Sequence, residues 1–193
     1  MIFALREIFD IVIMTLAIGY IFSTFIRRKP QEGYDPLKYF NRPSLWDDIK
    51  YSAAIAAPAI VLHELAHKFV AIAFGATATV HAPLEWYIPV IIMRLLNFPL
   101  FFFVGGYTQI NSYLPPLQSA IVSLAGPLMN LILYVTCTLL VRYKVVHRKY
   151  YNMIAISGRL NLFLMIFNMI PFPGFDGFGV VSELYKIIKQ IFL

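Results

Sequence analysis

The sequence predicts an all-α integral membrane protein. About four transmembrane helices are expected, with a small membrane-associated β element and a re-entrant, irregular segment between the second and third. Three observations carry that prediction. Hydrophobic residues make up 60% of the chain and charged residues 13%, against roughly 45–50% and 25% in soluble domains. The mean hydropathy is +0.71. Apolar runs of spanning length recur along the chain, and basic residues gather at their ends, where they meet headgroups. At 193 residues the chain suits one domain and is short for two, so residues 1–193 read as a single membrane-embedded unit. The net charge of +6 belongs to the run ends, and no basic-aromatic stripe argues for nucleic acid. Cys137 is the single cysteine, so an intramolecular disulfide is excluded.

The first apolar run, residues 8–26, is too long for a signal-peptide core. It ends in Arg27-Arg28-Lys29 rather than a small-residue cleavage site, so it reads as a retained helix with Asp10 at the interface. Residues 29–50 form a polar connection with three prolines. Ser44 with Asp47 three positions on marks a helix start. The second helix, about 47–74, contains Pro58, which should bend it, and Gly75 is a natural stop. Residues 77–80 are a strand candidate. Pro83, Pro89 and Pro99, with Arg94, break up residues 86–104, so that stretch is expected to be re-entrant or to lie on the surface. Residues 100–104 read as a second strand that 107–110 could continue.

The third span, 118–141, carries Gly126-Pro127 near its start and Asn130 at depth, read as a helix–helix hydrogen bond. His147 falls in a short basic connection. The fourth span, 151–170, runs into Pro171 and Pro173, which stop it, and into a loop that can aim Asp176 at a neighbouring site. Asp176 could instead cap the short amphipathic helix that follows, 178–192.

The chemistry sits in the second helix, at His63-Glu64-Leu65-Ala66-His67. On a helix the two histidines lie one turn apart on one face, so each can give a nitrogen to one Zn²⁺. Glu64 points about 100° away, close enough to reach a metal-bound water without being a ligand. Such a water has a pKa near 7, and an adjacent carboxylate can take its proton as it attacks a carbonyl. Ionisable groups at membrane depth each cost roughly 2.5–3.5 kcal/mol, so they need a partner or a role. His81, in the irregular segment, is an alternative ligand.

Two separated segments resemble the site-2 protease family of intramembrane zinc metalloproteases. One is His63 to His67 followed by Phe74-Gly75; the other is Asn168 to Gly177, an Asn and Pro followed by Asp-Gly. Ala125-Gly126-Pro127-Leu128-Met129-Asn130 resembles the start of the helix between them. The likeness covers residues 49–179. It implies a three-helix core with one zinc held by His63, His67 and Asp176, an open fourth position, and Glu64 as general base and later proton donor. It also implies that Asn168 holds the substrate strand or polarises its carbonyl, and that residues 77–109 offer a strand edge to an unwound substrate helix. Ala66 departs from the family's usual Gly, and the insert 83–99 has no counterpart in that pattern.

The expected activity is therefore hydrolysis of peptide bonds within transmembrane segments of membrane-anchored substrates. The expected location is a multi-pass position in the cell membrane, with regulation supplied by membrane partners. The competing reading is a non-proteolytic zinc-binding or metal-transport protein, which would want further ligands along a path and has no use for Glu64. Orientation divides the rules. Connections 27–50 and 142–149 hold ten Lys/Arg, which would make their side cytoplasmic. The resemblance implies the reverse, with both termini inside, and that orientation is preferred.

Overall fold

The computed structural model describes residues 3–26, 44–96 and 105–192. Among them are six α-helices and a two-stranded antiparallel sheet. Helix α1, Leu5–Phe22, starts and ends a few residues before the expected run. Helix α2, Leu45–Ala73, is the central element, packed against α1 and against the later helices α4 and α5. Ser44 caps it: its Oγ accepts the Trp46 N–H at 3.2 Å, and Asp47 and Asp48 place negative charge at the positive end of the helix dipole. Pro58 lies inside α2 without ending it. The end comes at Gly75, whose φ of +83° is a left-handed conformation that side-chain-bearing residues rarely adopt.

Strand β1 (Ala78–His81) follows and pairs with β2 (Tyr107–Ile110), with Val80 opposite Thr108 and His81 opposite Tyr107. Between them the expectation of a re-entrant, irregular stretch is corrected in part: Leu84–Leu95 is a helix, α3. Pro83 stands at its N-cap, where a missing N–H costs nothing, and Pro89 forfeits only one internal hydrogen bond. Arg94 ties α3 to the end of α1. Its guanidinium stacks 3.6 Å from the Tyr20 ring and donates to the Tyr20 carbonyl, Ser23 Oγ and Thr24 Oγ1. The strand expected at 100–104 and most of the connection at 29–50 fall outside the described residues.

Helix α4 (Pro116–Arg142) leads through a short 3-10 turn at Arg148–Tyr150, where His147 is exposed, into α5 (Tyr151–Asn168). Helix α6 (Asp176–Phe192) then packs back on α4. Among the described residues, α2 and α4 are the helices long and apolar enough to cross a membrane. Helices α1 and α5, at 18 residues each, complete the bundle. The core joins α1, α2, β1 and α3 through Met14, Ile18, Ile55, Ile60, Val80 and Tyr87, with Leu160 and Leu164 of α5 against it. Asp10, near the start of α1, is half-buried, with Oδ2 3.3 Å from His81 Nδ1.

Candidate metal centre

His63 and His67 stand on the inner face of α2, buried, with ring centroids 4.7 Å apart. Each ring is held from behind. His67 Nδ1 lies 2.7 Å from the Val122 carbonyl of α4; a carbonyl only accepts, so this nitrogen carries the proton. His63 Nδ1 lies 2.5 Å from Asn130 Oδ1. The Asn130 amide nitrogen donates to the Ala59 carbonyl and to Asn161 Oδ1, both at 2.9 Å. That fixes which end of the amide faces His63, and it makes His63 Nδ1 the donor. Both imidazoles in their neutral form therefore turn an Nε2 lone pair to the front.

Those lone pairs converge. The two Nε2 atoms are 3.1 Å apart. Asp176, the first residue of α6, brings Oδ2 to 3.0 Å from His63 Nε2 and Oδ1 to 3.3 Å from His67 Nε2. Three acceptors facing one another repel unless a cation lies among them. Two imidazole nitrogens and one carboxylate oxygen, with their second ring nitrogens already engaged, fit the donor set of a catalytic zinc site. Gly126 keeps the front open. A Cβ there would strike His67 Nε2 and come within 2.5 Å of His63 Nε2. Among the described residues this is the one group of three close metal-ligating side chains. His81 is not in it; its Nε2 pairs with Thr79 Oγ1 at 2.9 Å.

Glu64, also buried, faces β2. Thr108 Oγ1 lies 2.9 Å from the Glu64 carbonyl and 3.0 Å from its Oε2. The two histidines, Glu64, Thr108, Asp176 and Asn168 open on one cavity of about 490 Å³. Apolar residues of α1 and α5, Ile21, Phe22, Leu160 and Phe167 among them, line much of the rest. Asn168 sits on the last residue of α5, half-buried at the cavity wall.

The motif of peptidase family M50 matches residues 51–147, half of the chain, including His63 to His67 and Asn130. A relative in Methanocaldococcus jannaschii, named "Putative zinc metalloprotease MJ0611", is 34% identical over 93% of this chain and 85% of its own length. The chain belongs to peptidase family M50. This is the family of the site-2 proteases that the two motifs resemble. A second relative, "Putative zinc metalloprotease Rip2" of Mycolicibacterium smegmatis, is 31% identical over 64% of this chain and 52% of its own length. No solved structure gives a significant match. Family membership and the converging donor set make this peptidase a zinc metalloprotease. Sequence reasoning did not find Thr108 or the Val122 carbonyl as partners of the site. It read Asn130 as a helix–helix bond, which it is, while its contact with His63 went unseen. The available signal was a lone amide at depth on a stretch facing the motif helix.

Proposed function

We propose that this peptidase hydrolyses peptide bonds inside transmembrane segments of membrane-anchored proteins, as a multi-pass enzyme of the cell membrane with four spanning helices. One observation carries the reading: the donor cluster, the Glu64 carboxylate and an open strand edge share one cavity between apolar helices. The Asn111 N–H bonds the Thr77 carbonyl at 2.9 Å, and hydrogen-bonded pairs alternate along an antiparallel ladder. The backbone N–H and C=O of Thr108 and Ile110 accordingly point away from β1. An unwound substrate segment can add there as a third strand. Extension matters because a peptide bond inside a helix is shielded from water.

His63, His67 and Asp176 would hold one zinc. The ion supplies Lewis acidity, which polarises the scissile carbonyl and acidifies water. Glu64 takes the proton of the attacking water and later delivers it to the leaving nitrogen. The Thr108 hydroxyl holds the Glu64 carboxylate toward the cavity. Asn168 offers its amide to the substrate backbone. The apolar walls from α1 and α5 suit side chains from a transmembrane segment and exclude bulk water.

The test joins two readouts on the purified chain: zinc content, and cleavage of a transmembrane peptide in vesicles, for the native protein and for Glu64→Gln. One zinc in both, with cleavage only in the native chain, is expected. Zinc in both and cleavage in neither would defeat the proteolytic reading of the membrane substrate. Turnover retained by Glu64→Gln would remove Glu64 as the base.

A further inference from the structure

Helix α1 is joined to the motif helix by a buried charge pair that the proposed chemistry does not use. Glu7 is 3% exposed and Lys68, the residue after His67, is 1% exposed. Lys68 Nζ lies 2.5 Å from both carboxylate oxygens of Glu7 and 4.2 Å from the centre of the Phe3 ring. Burying two charges gains little net stability, because desolvation offsets their attraction. The pair therefore needs another reason to be there.

That reason lies in a third contact. Glu7 Oε1 accepts the backbone N–H of Val80 at 2.9 Å. Val80 is opposite Thr108, and by the alternation described above it is a non-hydrogen-bonded pair, so β2 provides no acceptor for this N–H. Glu7 provides it. Thr108 in turn reaches Glu64. Glu64 and Lys68 are one turn apart on α2, so the ribbon is fastened to one turn of helix at two points. Lys68 and Glu7 hold the β1 side; Thr108 holds the β2 side. Gly106 closes the arrangement from below: a Cβ there would strike the Met14 methyl and lie 3.1 Å from Glu64 Cγ.

We propose that Glu7, seated beside Lys68, is a positioning residue for the catalytic base: by accepting the Val80 N–H it fixes the β1–β2 ribbon so that Thr108 aims the Glu64 carboxylate and the outward edge of β2 lies beside it. Neither residue touches the substrate. The inference rests on the reading of Glu64 as base and β2 as the substrate edge, and it assigns α1 to the catalytic unit.

Two neutral pairs test it: Glu7→Leu with Lys68→Met, and Glu7→Gln with Lys68→Met. Neither leaves an uncompensated buried charge, and they differ in whether an acceptor remains for the Val80 N–H. The full chain is loaded with zinc in phosphatidylcholine vesicles with a fluorogenic transmembrane peptide. Zinc stoichiometry, kcat, KM and amide hydrogen exchange over residues 78–81 are then measured. Both variants should keep one zinc. The Leu variant should exchange faster at Val80 and lose about 10²-fold in kcat, the scale of a 1 Å misplacement, with little change in KM. The Gln variant should recover slow exchange and most of kcat.

Native exchange and native kcat in the Leu variant would overturn the proposal. So would equal losses in both variants, because charge rather than the Val80 contact would then be responsible. If the Leu variant does not assemble, Thr108→Val decides: a kcat-selective loss with zinc retained is expected, and unchanged kcat overturns it. A native chain that holds zinc yet leaves the peptide uncut would count against the proteolytic reading alone, since the exchange comparison at Val80 still decides the positioning role.

Discussion

One added carbon should empty the metal centre. At Gly126 a Cβ has three nearest neighbours, all imidazole atoms: His67 Nε2, His63 Nε2 at 2.5 Å and His63 Cε1 at 2.6 Å. Carbon contacts relax at roughly 3.5–4.0 Å, so the rings must retreat by roughly 1 Å. Metal–ligand distances tolerate only about 0.2 Å. Loss of an outer partner alone typically weakens a metal site about 10–100-fold, or about 1.4–2.8 kcal/mol, and displacing two ligands directly should exceed that. Meanwhile Gly→Ala inside a helix gains roughly 0.8–1.0 kcal/mol of helix propensity. Gly126→Ala should therefore lose zinc affinity by more than about 10²-fold, while its metal-free form, in which that gain is set against overpacking of roughly 1–3 kcal/mol, melts somewhat below metal-free native protein. Chelator competition gives the affinity, and thermal melting in excess chelator gives the stability. Zinc affinity equal to native would refute the assignment of the space before Gly126 to the metal.

Three further outcomes are expected. Asn130→Ala removes the His63 partner and leaves the Ala59 carbonyl and Asn161 Oδ1 short of a donor. It should weaken zinc binding about 10–100-fold and lower stability by about 1–3 kcal/mol, read by chelator competition and melting; unchanged zinc affinity would separate Asn130 from the site. Asp176→Ala removes the third donor and should abolish stoichiometric zinc on purification, so full metal content would return Asp176 to a capping role. Asn168→Ala should slow cleavage by up to about 10-fold, the loss of one hydrogen bond to the substrate backbone, with zinc content intact. Undiminished turnover would take Asn168 out of the site.

The motif helix was readable because helical geometry is local: five residues suffice to put His63 and His67 on one face. Gly75 and the strand at 78–81 were readable for the same reason. Asp176 was harder, since its loop allowed either a ligand or a cap, and only the likeness of residues 168–177 to a known signature favoured the ligand. In the structure its carboxylate faces the Nε2 atoms of both histidines, and it is the first residue of α6. Helix α3 was obscured by its own prolines, whose breaking effect depends on where in a helix they fall. Glu7, Lys68 and Thr108 were not readable at all. Their contacts join residues far apart in the chain, and no periodicity announces them. The pairing of Asp10 with His81 was hidden for the same reason, since His81 lies beyond the motif helix in sequence.

The division of donors between helices has a thermodynamic consequence. His63 and His67 arrive on α2, whereas Asp176 opens α6, a helix that otherwise leans on α4 with much of its apolar face uncovered. An ion bound by all three is a rivet between elements that could separate. Binding available only to the docked arrangement favours it by RT ln(1 + [L]/Kd), about 2.7 kcal/mol at a hundredfold excess over Kd. Scarcity of zinc would then do more than silence the reaction: it would loosen the last helix of the bundle.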